Sequence, residues 1–219
     1  EFIENKCVGH PDKLSGNGPE SSISIGHNRW ATHGAPTILN SHPHISNDGK
    51  IALVHNGIIE NYAHLKMHLQ SEGFNFYSET DSELIPNLIQ FYSRVLPLDR
   101  AIMAALKVIR GAYAIVFVHL DFPNKIFAAR LGSPVCVGKD DDGNAYISSD
   151  FGSLPGEVNN IITLADNRVA FIDMGGEIRV VSLDGDLVDA DFEKVDLESA
   201  SYSIGEYDHF LQKEIFEQS

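Results

Sequence analysis

The chain has 219 residues, 43% of them hydrophobic, enough to bury one substantial core and too apolar for a disordered polymer. Sixteen Lys and Arg stand against 31 Asp and Glu, a net charge of −15 with no offsetting basic patch, which sets nucleic acid and anionic membrane surfaces aside as partners. Cys7 and Cys136 are too few for a disulfide framework, no apolar run is long enough to cross a bilayer, and no signal pattern opens the chain, so a cytoplasmic setting is expected. The opening without Met and the closing amphipathic stretch "KEIFEQS" read as cut ends.

In chain order, "SISIGHNRW" alternates like a strand and "KIALVHNG" is a β-rich run that ends at Asn56-Gly57. The stretch "IIENYAHLKMHLQSEG" sets Ile59, Tyr62, Leu65 and Leu69 near one helical face, with Gly73 as the stop. A second helix follows in "TDSELIPNLIQFYSRV", with Thr80, Asp81 and Ser82 as candidate caps and Pro86 bending it or delaying its start. In "LDRAIMAALKVIRG", Asp99 is the expected cap, Ile102, Leu106 and Ile109 share a face, and Gly111 ends the helix. Thereafter come short β runs between Gly, Asn, Asp and Pro, from "AYAIVFVHL" to "EIRVVSLDG", with "KDDDGN" as a hairpin turn. Helices first and strands afterwards give an α+β class with stacked, mostly antiparallel sheets.

The chemistry is concentrated early. "HNRWATHGAPTILNSHPH", His27 to His44, carries four of the ten histidines, one arginine and the only tryptophan. His33, His42 and His44 have the donors for a divalent metal, but Pro36 and Pro43 place them on a loop, and no carboxylate lies among them; no cofactor is called for. For His27, His44 and His55 the favoured role is ordering that loop. Arg29 beside Trp30 is more telling, since a guanidinium grips a carboxylate with two bonds and an indole can cover what is bound. Asp81 read alone is a cap; set beside Arg29, it makes an anion for an α-amine to match a cation for an α-carboxylate, which suits a free amino acid. Asn56 and Gly57, at the end of a β run that leads into a helix, offer an amide and a backbone N–H as an oxyanion hole, against the ordinary Asn-Gly turn. Neither Cys7 nor Cys136 sits in a nucleophile motif.

"HNRWATHG", "NSHPH", "VHNGIIEN", "TDSE", "RGAYA", "AARLGSPVCVG" and "SSD", in that order, resemble the glutaminase domains of the glutamine–fructose-6-phosphate aminotransferase (isomerizing) family. Other class II amidotransferases, such as amidophosphoribosyltransferase, share weaker forms of these motifs. The resemblance implies a four-layer αββα N-terminal-nucleophile hydrolase sandwich over residues 1–204, with 205–219 as a connector to a sugar-isomerase domain. It implies hydrolysis of glutamine by an N-terminal cysteine whose own α-amine is the base, ammonia for glucosamine-6-phosphate synthesis from fructose-6-phosphate, and a homodimer. It assigns Arg29 to the glutamine α-carboxylate, Asp81 to its α-amine, Asn56 and Gly57 to the oxyanion hole, Trp30, Thr32 and His33 to the closing loop, and His42 to the segment that supports it. The family's N-terminal Cys-Gly-Ile strand is not in this sequence, so the chain as it stands is expected not to hydrolyse glutamine, and a non-catalytic glutamine-binding domain is the alternative.

Overall fold

Eleven short strands and three helices make up the computed structural model, which describes residues 1–9, 11–14, 21–31, 33–158, 160–189 and 193–194. In chain order they are β1 (His44–Ile45), β2 (Ile51–Ile59), α1 (Tyr62–Ser71), α2 (Leu84–Ser93), α3 (Leu98–Val108), β3 (Gly111–His119), β4 (Lys125–Leu131), β5 (Cys136–Lys139), β6 (Ala145–Ser148), β7 (Asn160–Thr163), β8 (Arg168–Asp173), β9 (Ile178–Ser182), β10 (Leu187–Val188) and β11 (Glu193–Lys194). Thr32 and the expected connector at 205–219 lie outside the described residues.

Seven strands form one antiparallel sheet in the order β1-β2-β3-β4-β8-β9-β10, and four form a second in the order β11-β7-β5-β6. Period-two alternation sorts the side chains of the large sheet. Leu53, Tyr113, Ile115, Phe117, Phe127, Val169 and Phe171 face the three helices, whereas Ala114, Ala128, Ala170 and Val180 face the small sheet with Val135 and Val137. Alanines at the centre of that second layer let the sheets approach closely. On the far side of the small sheet, Leu154 and Val158 pack on Cys136 and Ile161. The result is the α+β sandwich expected, with helix, large sheet and small sheet layered in that order.

Several local expectations hold and several do not. The helical faces hold in part: Leu65 and Leu69 of α1, and Ile102 and Leu106 of α3, are buried against the large sheet, but Ile59 ends β2, Ile109 is already extended after α3, and Gly111 begins β3. α2 begins only at Leu84, so Pro86 falls in its first turn, where a missing N–H costs nothing. Its N-cap residue is Glu83, which makes no side-chain cap bond, and none of Thr80, Asp81 or Ser82 serves as that cap. Asp99 is likewise not a cap; it lies inside the first turn of α3, after Pro97. β2 does not stop at Asn56-Gly57 but continues to Ile59, because Gly111 and Ala112 of β3 pair with Ile59 and Ile58. "SISIGHNRW" forms no strand ladder among the described residues.

Phe127 stacks on Phe117 at 4.7 Å and meets Phe171 edge-on at 5.6 Å, at the centre of the helix-facing core. Phe127→Ala should cost about 3–5 kcal/mol and lower the thermal midpoint by on the order of 10 °C, readable by calorimetry.

Candidate functional site

The second half of β2 has no partner strand on one side. β1 pairs β2 only at Ala52 and Leu53, and beyond that the edge is open. The ladder to β3 fixes which groups face the opening. Leu120 N–H donates to the Lys50 carbonyl and Glu60 N–H to the Arg110 carbonyl, both at 2.9 Å, so even-numbered residues of β2 bond to β3. The N–H groups of Gly57 and Ile59 therefore point away from β3. That of Ile59 is taken by Asp81 Oδ2 at 2.7 Å, and Asp81 is buried there. That of Gly57 faces a cavity of about 190 Å³ lined by His27, Arg29, Trp30, His33, His42, Asn56, Gly57, Thr80, Asp81 and Ser82. Drug-sized ligands fill roughly 300–1,000 Å³, so this space suits a smaller molecule.

Gly57 is where the edge geometry is decided. Its φ is +129°, and a Cβ there would lie 2.1 Å from the Ala112 carbonyl oxygen, so only glycine keeps β2 paired while turning its N–H outward. Asn56, next to it, points to the opposite face of the sheet from His55. His55 Nδ1 lies 2.9 Å from Ser82 Oγ on the helix side, while Asn56 Oδ1 accepts from His27 Nε2 at 2.6 Å. The Asn56 Nδ2 donors are left for the cavity.

Every described residue that the sequence nominated lines this cavity, in differing states. Arg29 donates from Nη1 to the Ala35 carbonyl at 3.2 Å and from Nη2 to those of His33 and Gly34, so its fork also organises the loop after it. A guanidinium has five N–H donors, which leaves capacity for a carboxylate. Asp81 retains Oδ1 for a second donor. His33 meets Tyr62 edge-on at 6.0 Å. Trp30 is 90% exposed and covers nothing in this structure.

Behind the cavity wall the histidines form a stack. His27 and His42 have ring centroids 4.0 Å apart, and His42 and His44 4.8 Å. Burial lowers the pKa of His42 far below its ordinary value, with His27 and His44 beside it adding to the effect. His44 is pushed down to about 3, again chiefly by burial and then by Lys6, and His55 to about 4, by burial against the opposing attraction of Asp81. His44 Nε2 lies 3.0 Å from Thr80 Oγ1, Thr80 bonds Ser78 at 3.0 Å, and Ser78 Oγ donates to Glu83 at 2.7 Å. Asn40 joins this wall to the loop: its Nδ2 donates to the Ala35 carbonyl and to Glu79 Oε2, both at 2.9 Å, and its Oδ1 accepts from Glu79 N–H. Sequence reasoning did not single out Asn40, Ser78, Glu79 or Glu83; the polar density of "SETDSE" was the available signal.

The cysteines divide. Cys136 is buried under the small sheet, its thiol donates to the Ser148 carbonyl at 3.2 Å, and burial pushes its pKa up to about 11, which suits packing and not attack. Cys7 lines an adjoining cavity of about 300 Å³ together with His27, Arg29 and His42.

The fold is that of the glutamine amidotransferases: the solved structure of glutamine phosphoribosylpyrophosphate amidotransferase from B. subtilis, complexed with ADP and GMP, superposes with a TM-score of 0.59 at 24% identity, over 74% of this chain and 35% of that one. The family model for the glutamine amidotransferase domain matches residues 27–155, and the chain belongs to that family. Glutamine–fructose-6-phosphate aminotransferase (isomerizing) from Clostridium acetobutylicum is 38% identical over 98% of this chain and 35% of its own length, and that from Methanothermobacter thermautotrophicus is 42% identical over 90% and 33%. The chain thus spans about a third of the curated relatives it matches. Among the described residues, no helix is long and apolar enough to cross a membrane.

Two outcomes are expected. Gly57→Ala combines strain at a positive φ with a clash against backbone and should cost at least about 2–3 kcal/mol, visible as a lowered midpoint in urea. The pH dependence has a definite sign. His44 and His55 hold folded pKa values near 3 and 4 against an ordinary 6.5. Unfolding therefore takes up protons below about pH 6.5, and the stability present above that pH is lost progressively toward pH 4. Urea unfolding between pH 7 and 5 should show this slope, and His44→Gln should reduce it by up to about one proton.

Proposed function

We propose that the chain is the glutamine-hydrolysing part of a longer amidotransferase that makes an amino sugar phosphate. The observation that carries the reading is the open edge of β2, where Asn56 and Gly57 line one small cavity with Arg29 and Asp81. Glutamine placed there sets its α-carboxylate on Arg29, its α-ammonium on the free oxygen of Asp81, and its side-chain carbonyl oxygen between the two N–H donors. Attack by a thiolate on that carbonyl carbon moves a pair of electrons onto oxygen, and the two donors are already aimed at the charge that develops. Collapse breaks the C–N bond, releases ammonia with a proton from the thiol's base, and leaves a thioester that water converts to glutamate. By resemblance, the thiol and its base belong to one N-terminal cysteine, whose α-amine titrates near working pH.

The roles follow from placement. Trp30 and His33 stand at the cavity mouth, where the loop organised by Arg29 closes over the substrate; Thr32 belongs to the same loop by resemblance. His42 supports it from behind. Identities of about 40% to glutamine–fructose-6-phosphate aminotransferases, against 24% to the phosphoribosylpyrophosphate enzyme, favour fructose-6-phosphate as the acceptor. The downstream sugar-isomerase domain, the connector at 205–219, the homodimer and a cytoplasmic location belong to this reading. Among the described residues Cys7 and Cys136 form no disulfide, which fits a reducing compartment.

The test uses the full-length protein and ammonia release. Asn56→Ala should lower kcat by about 10²–10³ while glutamine still binds in a calorimeter. Near-normal turnover would remove Asn56 from the oxyanion hole, and a wild-type protein that binds glutamine without releasing ammonia would leave a binding domain as the better reading.

A further inference from the structure

We propose that His27 is a positioning residue: its ring N–H holds the Asn56 amide in the one orientation that turns both amide hydrogens toward the cavity. A primary amide has nearly the same shape when rotated by 180° about its last bond, but the two orientations present opposite chemistry. With Nδ2 toward the cavity, Asn56 donates to a developing oxyanion; with Oδ1 there, it repels one. His27 Nε2 lies 2.6 Å from Asn56 Oδ1. A carboxamide oxygen is only an acceptor, so in this arrangement Nε2 carries the hydrogen; the other orientation would need the hydrogen moved to Nδ1, which has no acceptor at hydrogen-bond geometry. The bond also polarises the amide and makes its remaining hydrogens better donors.

The imidazole is itself held in place. Its ring lies against His42 at 4.0 Å, His42 lies edge-on to His44, and His44 is tied through Thr80 and Ser78 to Glu83 at the start of α2. Ring contact and hydrogen bonds thus run from a helix terminus to one side-chain amide. The Nδ1 atom of His27 is buried without a partner at hydrogen-bond geometry, so the 2.6 Å bond to Asn56 is the ring's closest polar contact, with the His55 backbone acting on it beside. The inference deepens the oxyanion reading and rests on it.

Ammonia release by the full-length protein tests it with four variants. His27→Phe keeps a ring against His42 and removes the donor; kcat should fall by about 3- to 10-fold with KM for glutamine within about twofold. His27→Gln, whose amide nitrogen reaches as far as Nε2, should recover most of the loss. In the Asn56→Ala background, His27→Phe should have no further effect, since nothing is left to orient. If the two losses multiply, or if His27→Gln is as slow as His27→Phe, His27 acts otherwise and the proposal falls while the oxyanion hole stands. If Asn56→Ala alone is as fast as wild type, the oxyanion reading falls and takes this one with it. Should His27→Phe not fold, His27→Met, of similar length to Gln and without a donor, supplies the same comparison with His27→Gln.

Discussion

A strand edge left unpaired for a few residues is the constraint on which this site is built. Backbone N–H groups at a sheet edge demand partners, and natural sheets usually cover them or blunt them. Here β1 covers β2 only as far as Leu53. The next donors go to different fates: Ile59 to a buried carboxylate, Gly57 to the edge that lines the cavity. Because Asp81 comes from the turn before α2, its bond to Ile59 also sets where that helix begins relative to β2. The same bond holds Asp81 at the cavity wall, so one carboxylate both repairs the strand edge and lines the proposed site.

The histidine stack supports this edge without using charge. In a chain with a net charge of −15, protonated histidines would be expected to find carboxylates, yet of the four rings at the site, His27, His42, His44 and His55, Asp81 acts on His55 and the main influences on the other three include no carboxylate. Burial outweighs that attraction, and the neighbouring rings and Arg29 push the same way. Neutral imidazoles are useful here because each has one donor and one acceptor. His27 and His44 spend those on Asn56 and Thr80, so the wall is held by directional bonds whose polarity is fixed near neutral pH.

What the sequence made legible was whatever depends on neighbours in the chain. The alternation of β3, β4 and β8, the apolar faces of α1 and α3 and the class of fold follow from period and turn residues over ten or so positions. Seven site residues, Arg29, Trp30, His33, His42, Asn56, Gly57 and Asp81, were nominated and line one cavity. The failures share a different cause. Asp81 looks like a cap because its partner, Ile59 N–H, lies 22 residues away. β2 looks finished at Asn56-Gly57 because the glycine that permits it to continue, Gly111, sits across the sheet in β3. Asn40 and Glu79 have no local pattern; they matter only because the two loops meet.

That meeting of loops also decides how the site can move. The segment from His33 to Ser41 is tied to the rest by Arg29's bonds to three carbonyls and by the exchange between Asn40, Glu79 and Ala35. Such bonds contribute roughly 0.5–1.5 kcal/mol each, somewhat more where a charge takes part. Beneath them β2 and β3 are locked by nine paired residues and by an aromatic core. Local opening of the loop therefore costs a small part of what opening the sheet costs. Arg29 holds the loop carbonyls through Nη1 and Nη2 while its side chain lines the cavity. In the proposed reading, glutamine binding and loop position meet at one guanidinium, whereas the proposed oxyanion donors lie on the paired strand.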